Sequence, residues 1–221
     1  PPLLWLAVTL VVWLAATAVA GLRPGNPLLN PILISIATIA AVLCIAGINY
    51  DTYFEGAQFI HFLLGPATVA LGIPLYEKLS LVKSNLIPML SALVAGSLTA
   101  VGSTVFFSHL FGFPPSVVAS MAPKSTRAAV AMAISSGLQG DPALTAAVVV
   151  LTGICGAIIV TPMMNAMRIK DFSARGFAVG LASHGIGTAR AYSVDPVAGL
   201  SSGIAMGLDA VLTSLIVHLF L

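Results

Sequence analysis

The chain has 221 residues, of which 58% are hydrophobic and only 7% are charged, and its formal net charge at pH 7 is +2. A soluble globular domain carries charges on about a quarter of its residues, so this composition excludes that class. The mean hydropathy of +1.06, together with apolar stretches longer than the roughly 18 residues that cross a bilayer core, predicts an all-α polytopic membrane protein. The weak positive charge includes no patch of the kind that binds nucleic acid.

Hydropathy divides the chain into about eight predicted membrane segments joined by short connections that carry most of the charges. The segments cover residues 3–20, 28–47, 59–76, 86–110, 116–137, 143–167, 175–192 and 197–220. The first segment has no basic flank before it, which favours a retained helix over a cleaved signal peptide. Because no long linker separates the segments, we expect residues 1–221 to form a single membrane domain. Cys44 and Cys155 lie within segments and are expected to be small apolar core residues.

Residues 1–111 resemble residues 114–221, which predicts an internal duplication. The aligned stretches are Arg23–Ser35 with Leu138–Val150, Gly65–Leu71 with Gly185–Ala191, and His109 with His218. The loop after the second segment is acidic in the first half and basic in the second, so the positive-inside rule predicts opposite orientations. Inverted repeats of this kind are typical of secondary transporters. Inversion needs an odd number of crossings per half, so either one segment per half is re-entrant or a helix precedes Pro1.

Three apolar segments contain glycine and proline patterns that predict discontinuous helices at membrane depth. The patterns are GPATVALGIP at residues 65–74, MAPKSTR at residues 121–127 and HGIGTAR at residues 184–190. Pro123 suits a first helical turn, so the helix of the second pattern is expected to begin there. Non-helical backbone at this depth is tolerated where it is buried in protein or lines a wet cavity, and a helix that starts there points free N–H groups at the occupant.

The residues at these breaks form a predicted binding site for an anion. They are Lys124, Ser125, Thr126, His184, Gly185, Gly187, Thr188 and Arg190, with Gly65, Pro66 and Thr68 supplying the facing half. A cation at the bilayer centre costs at least about 2.5–3.5 kcal/mol on insertion scales, so Lys124, Arg127 and Arg190 need a purpose or partners there. Asp209, the acid deep in the last segment, is expected to be a counter-charge or a proton carrier, and His184 is the second candidate for a proton.

Several of these residues also have a structural interpretation, which the sequence leaves open. Lys124 and Arg127 could extend to the interface if their segment is shorter, and His184 could be a hydrogen-bonded packing residue. GIGTAR follows no strand and lacks the third glycine of a dinucleotide fingerprint, and the scattered histidines give no metal-binding spacing. No cofactor, metal site or catalytic set is therefore expected, and the chain is not predicted to be an enzyme. The glycines spaced by four in the last segment are expected to serve close helix packing: Gly199, Gly203 and Gly207.

Four stretches resemble the CidB/LrgB family of membrane proteins: YFEGAQFIHFLLGPATVALGIPLY, APKS, DPALTAAVVVLTGICGA and ASHGIGTARA. Members are antiholin-like or autolysis-modulating membrane proteins, and the family includes the membrane portion of the plastidial glycolate/glycerate transporter. The resemblance covers essentially the whole chain. It departs after APKS, where residues 126–129 read Thr-Arg-Ala-Ala and many members have a valine, paired threonines and a proline. That departure leaves the local helix geometry and the substrate range open.

The resemblance implies a multi-pass protein of the bacterial inner (cytoplasmic) membrane, with a smaller CidA/LrgA-type membrane protein as its partner. It implies two activities: transport of small monocarboxylates such as glycolate, glycerate, pyruvate or lactate, or control of murein hydrolase release and cell lysis through holin-like assembly. The charged helix breaks favour transport by alternating access, with proton coupling as an option. Lys124 and Arg190 would then pair with the carboxylate, while neighbouring hydroxyls bond its other oxygens. A holin-like pore instead predicts homo-oligomers and needs no cations within the membrane.

Overall fold

The computed structural model describes residues 2–22, 29, 31–70, 76, 83 and 85–221. These residues contain nine helices and no strand, so the all-α prediction is confirmed. The helices are α1 (Pro2–Gly21), α2 (Pro31–Ala46), α3 (Tyr50–Ala70), α4 (Leu86–Leu110), α5 (Pro115–Met121), α6 (Ala128–Gly137), α7 (Pro142–Ala166), α8 (Phe172–Val194) and α9 (Pro196–Phe220). Among the described helices, α1, α4, α7 and α9 are long and apolar enough to cross a membrane. The chain divides into two compact units, Pro1–Glu77 and Lys78–Leu221.

In the first unit, α1 packs against α2 and α3, and the ring of Trp5 meets the ring of Tyr53 edge-on at 5.9 Å. The helix break predicted at Gly65-Pro66 is wrong, because α3 runs continuously through Pro66. An internal proline removes one backbone hydrogen bond, a loss that apolar membrane helices tolerate through local adjustment. Residues 71–75, the rest of this pattern, lie outside the described residues.

In the second unit, α5 and α6 fold back on each other and form hairpin 1 (residues 115–137). A methyl group added at Gly140 would lie 2.9 Å from the hydroxyl oxygen of Ser120 in α5 and 2.4 Å from that of Ser135 in α6. The amide of Asp141 also donates to Ser120 Oγ at 2.7 Å. Two collinear helices would separate these serines by roughly 22 Å at 1.5 Å per residue. The chain therefore reverses within the link 122–127.

The helix α8 is also a hairpin, hairpin 2 (residues 172–194), because it is interrupted at His184, whose φ is 39° and ψ is −134°. A methyl group added at Gly187 in the second arm would lie 2.7 Å from Val179 Cγ1 in the first arm. A straight helix would hold these two residues about 12 Å apart. The break predicted in this segment is thus confirmed, and it lies at His184 itself rather than at the neighbouring glycines.

The two hairpins enter from opposite ends of α4 and reach its central part. Hairpin 1 follows the end of α4 at Leu110, and its link binds α4 through Thr104. Hairpin 2 begins at the other end, and its Leu181 packs against Gly96, where an added methyl would lie 2.5 Å from Leu181 Cδ2. Residues 116–137 and 175–192 therefore fold as hairpins whose two ends lie together, which is the geometry of re-entrant segments.

The helices α4 and α9, which the proposed repeat aligns, run parallel. Leu93 lies in one apolar cluster with Ala205, and Val105 lies in another with Val217. An inverted repeat would set this pair antiparallel, so the predicted inversion is wrong for α4 and α9. The duplication itself stays a prediction.

Hairpin 2 packs closely against α9 because two glycines let the backbones touch. Methyl groups at Gly176 and Gly180 would come within 1.9 Å and 2.0 Å of the carbonyl oxygens of Ala198 and Ser202. Small residues at such spacing allow close helix approach in membranes. The first arm of hairpin 2 and α9 therefore form one tightly joined pair.

Two packing expectations from the sequence need correction. Of the three glycines spaced by four in α9, Gly199 packs closely on Tyr192, whereas a methyl at Gly203 or Gly207 would meet no described atom within 4 Å. Both cysteines are exposed rather than in the core. A small apolar thiol side chain needs no burial within the protein when the helix surface itself lies in hydrocarbon.

Candidate functional site

The link of hairpin 1 and the turn of hairpin 2 meet beside the central part of α4. Ser125 lines an open cavity together with Leu181 and Ala182, and Arg127 lies close enough to His184 for their charges to interact. The cavity has a volume of about 490 Å³. Its other lining residues belong to α4: Ala95, Gly96, Thr99, Ala100 and Ser103. Two break patterns that are far apart in the sequence are thus brought together in the fold.

The link of hairpin 1 consists of two successive tight turns. The amides of Lys124 and Thr126 donate to carbonyl groups three residues earlier, each at 3.1 Å. The helix α6 begins only at Ala128, after Arg127 has adopted an extended backbone. The expectation that this helix starts at Pro123 is therefore wrong, because the turns use the amides that a first helical turn would leave free.

This link carries a cation and a buried hydroxyl. Lys124 Nζ donates to Thr104 Oγ1 on α4, and that hydroxyl donates in turn to the carbonyl of Ala100 at 2.7 Å. Thr126 is 1% exposed, and its Oγ1 has no hydrogen-bond partner among the described residues. A buried hydroxyl without a partner costs about 1–3 kcal/mol, so Thr126 carries an unused hydrogen-bonding group next to Ser125 of the cavity.

The imidazole of His184 is fixed by α7. Its Nε2 lies 2.9 Å from the carbonyl oxygen of Val149. Because a carbonyl oxygen only accepts, Nε2 carries the proton and donates, which leaves Nδ1 as the atom that can exchange one. Gly153 makes room for the ring, since a methyl group there would lie 2.7 Å from His184 Cε1. His184 is therefore a packed, hydrogen-bonded residue that still has one nitrogen available.

The other residues of the HGIGTAR pattern mostly stabilise the turn. Thr188 Oγ1 donates to the carbonyl of His184 at 2.7 Å and bonds to Ser202 Oγ at 2.8 Å, so its hydroxyl is already used. Gly187 serves the close contact between the two arms. At Gly185, by contrast, an added methyl would meet only Met206 Sδ, at 4.0 Å, and space remains beside the turn.

Arg190 lies at the base of hairpin 2 rather than at its turn. It lines a small pocket together with Arg175 and Phe172, and its Nη1 donates to Ser193 Oγ at 3.2 Å. Because the second arm returns toward the start of α8, Arg190 lies about 9 Å along the arm from the turn. The expectation that Lys124 and Arg190 share one carboxylate is wrong for this arrangement.

Asp209 lies between α4 and α9, outside the lining of the cavity. It is fully buried, and its Oδ1 accepts hydrogen bonds from Ser97 Oγ at 2.6 Å and Thr213 Oγ1 at 3.0 Å. Its Oδ2 has no partner among the described residues, and it forms no ion pair there with Lys124. The counter-charge role is therefore not observed, and the role as a proton carrier stays a prediction.

Sequence reasoning missed the polar partners that α4 contributes. Ser97, Thr104 and Ser108 are all buried on one apolar helix, at spacings of seven and four residues. Such spacing places them on one face, and a buried polar stripe on a predicted membrane helix is a signal that could have found them.

Gly65, Pro66 and Thr68 belong to the first unit. Pro66 is exposed within α3, and the side chains of the other two lie outside the described residues. Their proposed contribution to the facing half of the site stays a prediction.

The sequence profile of the LrgB-like family matches residues 9–221. The chain belongs to the LrgB-like family. The holin-like protein CidB of Staphylococcus aureus (strain Mu50 / ATCC 700699) is 32% identical to it over 215 residues, covering 97% of this chain and 93% of that protein. The Bacillus subtilis (strain 168) protein YxaC is 34% identical over 198 residues, covering 88% and 86% of the two chains. No solved structure matches.

Membership of the LrgB-like family agrees with the helices that the structure describes. Four apolar helices and the bacterial relatives identify a multi-pass bacterial membrane protein of the holin/antiholin-like kind. The LrgB-like family is a membrane transporter or regulator type rather than an enzyme family.

Proposed function

We propose that this LrgB-like protein is a secondary transporter of small monocarboxylates of the glycolate, glycerate, pyruvate or lactate type, working by alternating access. The observation that carries the proposal is the meeting of two opposed re-entrant hairpins beside the central part of α4. In secondary transporters, interrupted helices near the bilayer midplane form the substrate site. Irregular backbone at that depth is tolerated where it is buried in protein or lines a wet cavity, and the link of hairpin 1 borders an open cavity of about 490 Å³ at Ser125.

The polarity of the site supports an anionic substrate. The helix α6 begins at the link of hairpin 1, and no side chain caps its first turn. Its N-terminus therefore offers free N–H donors and the positive end of the helix dipole. Lys124 adds a cation that is already oriented by Thr104. One carboxylate bound there would accept from Lys124 and from these amides together.

The remaining polar groups suit the second functional group of a hydroxy or keto acid. The hydroxyls of Ser125 and Thr126 can bond a substrate hydroxyl or carbonyl oxygen, and an occupant would satisfy the buried Thr126 Oγ1. His184 through Nδ1, or Asp209, would take a proton during transport. A smaller membrane protein of the CidA/LrgA type is the proposed partner.

A second candidate function is control of murein hydrolase release and cell lysis through a holin-like pore. It is favoured by the similarity to the holin-like protein CidB of Staphylococcus aureus and by the open face around Gly203 and Gly207, which would let copies of the chain pack into a homo-oligomer. A pore requires no cation at the hairpin link. The oriented Lys124 therefore favours the carrier.

Uptake of labelled glycolate and pyruvate into proteoliposomes tests the proposal, with Lys124→Met as the variant and Lys170→Met, an exposed loop lysine, as the matched control. Losing one charge-assisted hydrogen bond costs about 1.5–3 kcal/mol, so uptake by Lys124→Met should fall roughly tenfold or more. The Lys170→Met variant should transport like the unmodified protein.

Two outcomes would contradict the proposal. Unselective dye leakage without saturable uptake by the unmodified protein would favour the pore. Saturable uptake that Lys124→Met leaves unchanged would move the anion site away from the hairpin link.

A further inference from the structure

The carboxyl group of Asp209 is buried at a contact between two helices and is only half satisfied. Asp209 is fully buried, and its Oδ1 accepts hydrogen bonds from Ser97 on α4 and from Thr213 on α9 itself. The second oxygen, Oδ2, is buried and has no partner among the described residues. A hydrogen-bonded packing role would need only a neutral side chain, so the presence of an ionisable group there calls for a reason.

Among the described residues, no charged group bonds to this carboxyl. Between Leu86 and Ser108, α4 contains no charged or titratable residue, and the other titratable group on α9 is His218 at its far end. The basic side chains of the two hairpins form no hydrogen bond or ion pair with Asp209 among the described residues. They are Lys124, Arg127, Arg175, His184 and Arg190. Burying an ionised carboxylate without a cation and with one oxygen unpaired is far more costly than burying the neutral acid.

We propose that Asp209 is the proton-binding site that couples transport to the pH gradient, an inference that rests on the proposed function and separates Asp209 from His184. The proton binds at Oδ2, while Oδ1 keeps its two hydroxyl donors. The contact between α4 and α9 then belongs to the protonated state. Loss of the proton to the aqueous phase favours a second state, in which this contact opens and water reaches the carboxylate.

The position of Asp209 links this proton to the substrate cavity. Its bond to Ser97 lies one residue from Gly96, which lines the cavity and packs on Leu181 of hairpin 2. On the other side, α9 is joined to the first arm of hairpin 2 by the contacts of Gly176 and Gly180. Opening the contact between α4 and α9 therefore moves hairpin 2 with α9. This movement gives the empty, deprotonated carrier its route back, while the loaded carrier changes access to the cavity with the proton bound.

The test separates exchange from accumulation in proteoliposomes. Asp209→Asn keeps the shape of the side chain and an acceptor oxygen but cannot ionise. Exchange of labelled for unlabelled glycolate should stay within about twofold of the unmodified protein, because exchange needs no net proton movement. Accumulation driven by a pH gradient, and the proton uptake that accompanies it, should be lost. Asp51→Asn, an exposed carboxyl on α3, is the matched control and should keep both.

Either of two results from a folded Asp209→Asn variant overturns the inference. One is accumulation that still responds to the pH gradient. The other is loss of exchange together with accumulation, because the carboxyl would then serve substrate binding. If Asp209→Asn does not fold, Ser97→Ala takes its place. It removes the bond from α4, so accumulation should fall more than exchange, and equal losses contradict the inference.

A measurement without transport keeps this inference distinct from the proposed function. Infrared spectra of the purified protein near neutral pH should contain a carboxylic-acid C=O stretching band that is missing in Asp209→Asn. If that band is present in both proteins or in neither, Asp209 does not hold the proton, even if glycolate is transported. If the unmodified protein neither exchanges nor accumulates glycolate or pyruvate, the proposed function fails, and the coupling role of Asp209 fails with it.

Discussion

At the scale of single residues, the turn of hairpin 2 depends on an uncommon backbone conformation. His184 has a φ of 39° and a ψ of −134°. Residues with a side chain rarely adopt this backbone conformation, because it costs about 1–3 kcal/mol. The ring hydrogen bond to Val149 and the space left by Gly153 compensate for part of that cost. A glycine would turn the chain more cheaply, which supports a use for the imidazole in the site.

This strain predicts a difference between two substitutions at one position. His184→Ala loses the bond to Val149 and keeps the strained backbone, whereas His184→Gly loses the same bond and relieves the strain. The glycine variant should therefore be more stable than the alanine variant by about 1 kcal/mol, the reverse of their order in a regular helix. Thermal unfolding of the two purified proteins in detergent measures this directly. An alanine variant as stable as the glycine variant would mean that the turn is not strained.

At the scale of elements, the glycines of hairpin 2 set how closely it approaches α9. Gly180 leaves no room for a methyl group, which would come within 2.0 Å of the Ser202 carbonyl oxygen, whereas Gly207 leaves open space. Gly180→Ala should therefore destabilise the protein by about 1–3 kcal/mol through forced backbone shifts. Gly207→Ala should be neutral or stabilising by up to about 1 kcal/mol, because alanine favours helix. Equal unfolding temperatures for the two variants would contradict this account of the packing.

The sequence predicted most elements but not their reversal. Proline and glycine located the interruption at residues 121–127 and the pattern that contains the second one, because those residues act locally on the backbone, but the second break lies at His184 rather than at a glycine. Hydropathy could not separate a hairpin with two short apolar arms from one crossing helix, since both are apolar over the same length. The same reasoning overestimated the helix-breaking effect of Pro66, because α3 continues through that residue. The expected position of Arg190 beside the break was wrong for a related reason. Because the chain reverses at His184, Arg190 lies near the base of hairpin 2 and not at its turn.

At the scale of the whole second unit, the charges predict its orientation. Arg168 and Lys170 lie in the connection that leads to hairpin 2, whereas the connection from α4 to hairpin 1, residues 111–114, carries no charge. The positive-inside rule therefore places the base of hairpin 2 in the cytoplasm and the base of hairpin 1 outside.

Single cysteines introduced into a Cys44→Ser, Cys155→Ser background test this orientation and both hairpins together. Phe113→Cys and Gln139→Cys flank hairpin 1 and should both react with a membrane-impermeant maleimide added from outside. Lys170→Cys lies just before hairpin 2 and Val194→Cys is at its last residue, and both should react only after the membrane is opened. Opposite labelling within either pair would mean that the segment crosses the membrane.

The short arms of the hairpins also have a consequence for how this chain is made. The arms α5 and α6 have 7 and 10 residues, against the roughly 20 that a helix needs to cross a bilayer unaided. Neither arm can leave the translocon as an independent span, and exposed ends of its backbone would be costly in lipid. We therefore expect hairpin 1 to insert only after α7 and α9 have been synthesised and can pack around it. The order of biogenesis thus follows from geometry, because α9, which is synthesised much later than hairpin 1, completes the surroundings in which hairpin 1 packs.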